Sequence, residues 1–281
     1  MRVCLITPRP DHPLLAATTA LLAPDHQVTW LDPAAPVAPD PGATLADVCL
    51  LKSRSPRALA LARSFEERGV PVLNSAASTE LCQDRVLMAG LARRAGLPFV
   101  ATRAVPTLRQ LAAEAALPYP LVVKSRHSRR GDLVARAADA GQLRELGAVW
   151  ADEPVVVQPF TANDGWDHKL WVIDGQVFAA LRRSELAETD GGPGPTLPLA
   201  PGELPDGWAD LARPVGPLFG LEVYGVDVLD TGGGAPQIVD INAFPGVRGQ
   251  AGAPEALAAL TLRAAGGGSA SARPSGDAAV K

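Results

Sequence analysis

Apolar residues along this chain recur with two periods that alternate from segment to segment. Val3 to Thr7 reads as a buried strand, Pro13 to Leu22 as a helix and Gln27 to Leu31 as a second strand. Val48 to Leu51 resumes a strand, Pro56 to Arg68 a helix and Val70 to Leu73 another strand. Strands separated by helices predict a small parallel sheet with helices packed on it. Thr79 to Ala95 carries a strong helical period that ends at Gly96. Leu108 to Ala116 adds a helix, Leu121 to Lys124 and Lys169 to Ile173 lie on strands, and Pro254 to Ala264 closes the chain with a helix. The polar and Pro-rich stretch Asp32 to Thr44 is a loop, while Glu188 to Asp206 is either an active-site loop or a connector. Residues 266–281 are Gly, Ser, Ala and polar residues that cannot bury enough apolar surface to offset ordering entropy, so a disordered tail is expected.

Candidate chemistry concentrates at two kinds of position on these strands. Asp240 and Asn242 stand two apart within Val239 to Gly246, so an extended strand projects both to one face while Val239 and Ile241 pack behind. Asp227, in the upstream run Gly225 to Asp227, can close the group from a neighbouring strand. Two carboxylates and an amide without His or Cys suit magnesium, an oxygen-seeking cation usually completed by substrate phosphates. The alternative is a hairpin whose Asp and Asn simply face solvent. Lysine is scarce: the 26 basic residues include four Lys, at 52, 124, 169 and 281. Lys52 and Lys281 fall in loop-like or terminal sequence. Lys124 and Lys169 fall on strands, where an ammonium can bridge phosphate oxygens or can snorkel to water.

Five segments taken in order resemble the ATP-grasp superfamily: Leu121 to Lys124, Val155 to Phe160, Asp167 to Gly175, Arg182-Arg183-Ser184 and Asp240 to Gly246. Upstream, Val72-Leu73-Asn74-Ser75, Asp84-Arg85 and Gly96-Leu97-Pro98 resemble the glutamate-ligase-type (RimK-like) members, with Arg85 where Lys is usual. The resemblance implies an α/β chain with an N-terminal α/β domain over residues 1–78. An ATP-grasp domain would follow over 79–265, its two α+β lobes, about 79–160 and 161–265, clasping ATP. It implies that Arg85 and Lys124 meet the nucleotide, that the Gln158, Pro159 and Phe160 backbone holds adenine, and that Asp167 lies near the sugar and phosphates. Lys169 would reach the terminal phosphate or the acceptor, Arg182 or Arg183 would neutralise the transferring phosphoryl group, and Ser184 would touch the nucleotide. Asp227, Asp240 and Asn242 would hold magnesium, or manganese in its place, and Gly246 would let the backbone approach the acceptor. The loop Ser125 to Asp132 is Arg-rich and Gly-poor for such a flap. Its His127 and Arg130 either grip an anionic substrate or are solvated.

Three activities follow from the resemblance. One is an ATP- and magnesium-dependent ligase joining a small-molecule or peptide carboxylate to an amine through an acyl phosphate. The second is a kinase acting on a polyol such as an inositol phosphate, since Lys169 to Gly175 and the Asp240 segment resemble the ATP-grasp inositol-phosphate kinases as well. The third is a nucleotide-binding protein without turnover. Phosphoryl transfer needs positioning and charge neutralisation rather than a side-chain nucleophile, which agrees with the lack of a Ser-His-Asp or Cys-His arrangement. Gly191 to Pro195 and Gly232 to Gly234 lack the strand-loop-helix context of a phosphate cradle and read as turns.

Composition narrows the setting. At 281 residues the chain can bury a sizeable core, and a net charge of -4 argues against a nucleic-acid partner. No apolar run approaches the roughly 20 residues that span a bilayer, so no membrane partner and a cytoplasmic location are expected. Cys4, Cys49 and Cys82 are widely spaced beside apolar neighbours and read as buried free thiols. Trp166 and Trp171 read as packing residues, and His168, on the face opposite Lys169, as structural.

Overall fold

The structure is a computed structural model, and it describes every residue except 37–39, 41, 43, 185, 187–194, 234 and 268–281. Glu188 to Gly194 and most of the expected tail therefore lie outside the described residues. The first elements are β1 (Arg2–Ile6), α1 (Pro13–Leu22), β2 (Gln27–Leu31), β3 (Val48–Leu51), α2 (Pro56–Glu67) and β4 (Val72–Leu73). They form the expected parallel sheet, in the order β2-β1-β3-β4. Its continuous apolar runs are explained by burial on both faces. Val3, Leu5, Val48 and Leu50 pack towards α1, while Cys4, Ile6, Cys49 and Leu51 pack towards α2. All three cysteines are buried free thiols.

Next come α3 (Ala76–Leu81), α4 (Arg85–Arg94), β5 (Arg103–Val105), α5 (Leu108–Ala112), β6 (Leu121–Ser125), β7 (Val134–Ala137), α6 (Ala140–Trp150) and β8 (Val155–Pro159). The single helix expected over Thr79 to Ala95 is two helices. Asp84 adopts an extended backbone, and its side chain caps α4 by accepting from the Val86 and Leu87 amides at 2.9 and 3.3 Å, so the first helix cannot run through it. The helix expected to Ala116 stops at Ala112. Strands β5 to β8 make an antiparallel sheet in the order β5-β8-β6-β7. Leu121, Val123, Val155 and Val157 share a core with Leu108, Leu111 and Leu143 of α5 and α6. The alternate residues Val122, Lys124 and Gln158 therefore face the other way.

The remaining elements are β9 (Trp166–Ile173), β10 (Gln176–Arg183), β11 (Thr196–Leu199), α7 (Trp208–Ala212), α8 (Val215–Phe219), β12 (Val223–Asp230), β13 (Pro236–Ala243) and α9 (Ala253–Ala265). Their sheet runs β11-β10-β9-β12-β13 and is antiparallel. Asp174 and Gly175, with φ of 52° and 77°, make the two-residue turn between β9 and β10. β11 lies inside the stretch expected to be a loop. On one face Leu170, Val172, Tyr224, Val226, Ile238 and Ile241 pack against α4, α7 and α8. His168 is buried on this face with its ring 4.7 Å from that of Trp208, consistent with a structural role.

The opposite face of this sheet is divided. Trp171, Ile173, Phe178, Ala180 and Val223 join the core of the N-terminal sheet, α1 and α9. The other half is polar and faces the Lys124 side of the β5 to β8 sheet. Asn74, buried just after β4, fastens the two sheets together. Its Nδ2 donates to Val223 O at 2.6 Å, and its Oδ1 accepts from the Glu222 and Val223 amides at 2.8 and 3.0 Å. None of the described helices is long and apolar enough to cross a membrane.

Candidate active site

The polar half-face owes its arrangement to strand register. Asp227 of β12 stands opposite Lys169 of β9 on one side and Asp240 of β13 on the other. Asp167 lies two residues before Lys169 and opposite Arg182 of β10. Asn242 pairs with Gly225, which pairs in turn with Trp171. A Cβ at Gly225 would come within 3.1 Å of the Trp171 ring and 3.2 Å of Pro245, so glycine is what lets Pro245 fold back over the strand. The strand period of two thus delivers Asp167, Lys169, Arg182, Asp227, Asp240 and Asn242 to one surface.

A cleft of about 400 Å³ separates this surface from the β5 to β8 sheet. Arg85, Lys124, Gln158, Pro159, Phe160, Asp167, Lys169, Arg182, Arg183, Ser184, Asp227, Asp240 and Asn242 all line it. Lys124 crosses it, donating to Val239 O at 3.0 Å. Burial pulls Lys124 below the ordinary lysine value, with Asp240 opposing that pull. Lys169 Nζ lies 3.2 Å from Asp167 Oδ2 and 3.0 Å from Asp227 Oδ2. Burial alone would lower Lys169, yet the Asp227 and Asp167 charges carry it above its usual range. For Asp227 burial dominates and raises the carboxyl, Lys169 opposes, and Asp240 adds to the rise.

Two carboxylates and one amide, in register at the cleft wall, are an oxygen-only donor set that fits one magnesium ion completed by phosphate oxygens. Among the described residues no three His, Cys, Asp or Glu side chains cluster as a metal site, so the chain itself does not form a closed cage.

The residues expected to face a nucleotide have definite partners. Gln158 is buried and its Nε2 donates to Thr102 Oγ1 at 3.0 Å, while the Arg136 guanidinium lies 4.3 Å from the centre of the Phe160 ring. Ser184 N donates to Gly165 O at 3.0 Å, and Arg183 lies over Trp166, 5.3 Å from the ring centre. Arg85 reaches the cleft, but its Nη1 is held by Ser125 O and Asp132 Oδ2, each at 2.7 Å. It braces the base of the flap.

Three expected residues do not stand among the described cleft-lining residues. His127 is exposed, with Nε2 3.5 Å from the Asp84 carboxylate, and Arg130 is exposed on the flap. The flap's basic cluster is largely neutralised, because Arg126 pairs with Asp84 and Arg129 with Glu153, each at 2.7 Å. Gly246 lines a second cavity, which adjoins the cleft through Arg54 and Asn242. Lys52, read from sequence as a loop residue, and Arg54, not singled out there, belong to this region. Arg54 Nη1 donates to Ser128 Oγ of the flap at 2.9 Å, and Lys52 Nζ donates to Phe244 O and Pro245 O at 3.0 and 2.8 Å. Lysine scarcity was the available signal for Lys52; Arg54, one of many arginines, carried none.

Known proteins are similar to this chain in sequence and fold. A probable alpha-L-glutamate ligase of Rhodopirellula baltica is 27% identical over 204 residues, covering 68% of this chain and 48% of the relative. The chain thus spans about half the length of the curated relatives it matches. The RimK domain ATP-grasp protein of Sphaerobacter thermophilus superposes with a TM-score of 0.69 at 24% identity, covering 93% of this chain and 100% of that one. The ATP-grasp ligase PsnB, in complex with its minimal precursor, Mg and ADP, gives 0.61 at 21% identity, covering 92% and 97%. Because the sequence profile of the RimK-like ATP-grasp domain matches residues 100–254, more than half of the molecule and the part that builds the cleft, the chain belongs to the RimK-like ATP-grasp family.

Proposed function

We propose that this protein is an ATP-dependent ligase that joins a carboxylate to an amine through an acyl phosphate. The observation that carries the reading is the in-register row Lys169, Asp227 and Asp240, facing Lys124 across the cleft. The named activity of the Rhodopirellula relative, a probable glutamate ligase, supports the same reaction class.

In this reading an oxygen of the acceptor carboxylate bonds to the γ-phosphorus as the bond to the bridging oxygen of ADP breaks. The amine nitrogen then attacks the acyl carbon, phosphate leaves, and the nitrogen loses a proton. Lys124 and Arg182 place positive charge around the phosphates from opposite walls, while Lys169 is oriented by its two carboxylates. The backbone at Gln158 to Phe160 receives the adenine, and Asp167 and Ser184 bound the sugar and phosphate end. Asp227, Asp240 and Asn242 would hold magnesium, which when bound neutralises the phosphate oxygens.

The test is to incubate the protein with ATP, magnesium and pools of carboxylic acids, amino acids and inositol phosphates, and to read products by mass spectrometry. Amide formation with stoichiometric ADP and phosphate is expected. Phosphate retained on a polyol would replace the ligase reading by a kinase, and nucleotide binding without any product would replace both.

A further inference from the structure

The second cavity, about 410 Å³, lies where the chain leaves β1 and β3 and meets the turn after β13. In the order β2-β1-β3-β4 the connections from β1 and β3 diverge, so the carboxyl ends of these two strands form a crevice at a topological switch point. Open parallel sheets bind ligands at such crevices. Thr7, Arg9 and His12 come from the β1 side, Lys52 and Arg54 from the β3 side, and Arg248 from the turn.

The charge here is one-sided. Arg9, Lys52, Arg54 and Arg248 line the cavity, and no Asp or Glu stands among its described lining residues; exposed Asp11, outside the lining, lies 3.8 Å from Arg9 Nε. Lys52 is already committed: its two bonds to Phe244 O and Pro245 O, with the Phe244 ring 5.2 Å away, hold a turn whose Phe244 and Val247 have φ of 44° and 38°. Arg248 and His12 converge on Gly246. A Cβ there would be 3.5 Å from Arg248 Nε and 3.7 Å from His12 Nε2. The buried Nδ1 of His12 has no hydrogen-bond partner. The groups inside register the field. Burial first, then the Lys52, Arg9 and Arg248 charges, push His12 down to about 4, with exposed Asp11 opposing. Burial, then Arg54 and Arg248, push Lys52 down to about 8.

We propose that this cavity is the acceptor pocket and that it selects an acid carrying at least two negative charges over a zwitterionic amino acid. The inference rests on the ligase reading. One carboxylate would meet the phosphoryl group where Arg54 and Asn242 join the two spaces, and the second anionic group would sit against Arg248, Arg9 and His12. An ammonium group would enter a field of cations with no described carboxylate lining the cavity to receive it, which is discrimination by repulsion.

Calorimetric titration of the protein loaded with magnesium and a non-hydrolysable ATP analogue tests this, with glutarate, propionate and L-alanine as probes. Glutarate should bind at least tenfold more tightly than propionate and L-alanine, with an affinity that falls as salt is raised. Arg248→Gln and Arg9→Gln should each weaken glutarate about tenfold and leave the nucleotide Kd unchanged, with Arg248→Lys recovering part of the loss. L-alanine binding as tightly as glutarate, no glutarate binding, or glutarate binding unchanged in Arg248→Gln would each overturn the proposal. A hydroxylamine trap separates it from the parent reading. Tight, Arg248-dependent glutarate binding without ADP release or hydroxamate supports the pocket and counts against the ligase, whereas hydroxamate formed from L-alanine in preference to glutarate supports the ligase and overturns the pocket.

Discussion

The two adjoining cavities, lined by six and four Lys or Arg residues with Arg54 common to both, differ in how they partner those cations. In the cleft between the two antiparallel sheets Lys169 sits between Asp167 and Asp227, Arg85 is paired with Asp132, and Lys124 rests on a backbone carbonyl. In the second cavity Arg9, Arg54 and Arg248 stand with no described acid among the lining residues. A buried cation is stable when its partner is built in, and the geometry is then fixed before the ligand arrives. Where no acid lines the cavity, the charges stay near solvent, as exposed Arg248 does and as Arg9 does beside exposed Asp11 at 3.8 Å, and the ligand supplies the counter-charge. The first arrangement suits a ligand of fixed structure. The second suits selection by charge.

The sharpest way to break this comparison is through the cleft's acids. Asp240→Asn keeps size and removes one charge, so turnover should fall about 100- to 1000-fold while circular dichroism stays unchanged. Raising magnesium should recover part of the loss, and superimposable ADP-release curves against magnesium for the two proteins would contradict the metal assignment. Lys124→Met should act on the nucleotide side alone. ATP binding should weaken about tenfold or more in calorimetry, with glutarate binding to the second cavity unchanged. Equal weakening of both ligands would mean that the two spaces are one site.

Asn74→Ala addresses what holds the walls behind both cavities. Losing one donor and one doubly used acceptor at a buried position should cost on the order of 3 kcal/mol in chemical denaturation, since Val223 O and two amides lose their partner. An unchanged midpoint would show that the shared apolar core suffices. The smallest effect belongs to His12, whose pKa lies near 4 against an ordinary 6.5. Between those values the unfolded chain binds a proton that the folded chain refuses, so stability rises with pH through that window and is level above it. His12→Gln should flatten the rise in melting temperature between pH 4 and 6.5 and leave pH 7.5 unaltered.

Much of the cleft was legible because its chemistry follows local periodicity. Asp240 with Asn242, and Asp167 with Lys169, are each two apart on a strand, and a strand sends such pairs to one face whatever the rest of the chain does. The first sheet was legible for the same reason. Of the second cavity, apart from Asn242, which it shares with the cleft, only Gly246 was legible, because its cations act at a distance. Lys52 bonds carbonyls 192 and 193 positions away, and nothing beside it in sequence announces those partners. The break between α3 and α4 was masked by a helical period that continues across Asp84, although the carboxylate that enforces the break is a local signal. For His127 and Arg130 two readings stood open, because a basic loop in sequence does not show that Asp84 and Glu153 pair with its other arginines.

The Asn74 fastening has a mechanical consequence. Three hydrogen bonds and a common apolar core make the N-terminal sheet and the β9 to β13 sheet a single base plate, on which the second cavity sits. The β5 to β8 sheet has a core of its own and meets that plate through sparse polar contacts such as Lys124 on Val239 and Arg54 on Ser128. The two walls of the cleft are therefore unequally supported: one is part of a plate braced through a shared core, and the other is tied to it by single side chains such as Lys124 and Arg54.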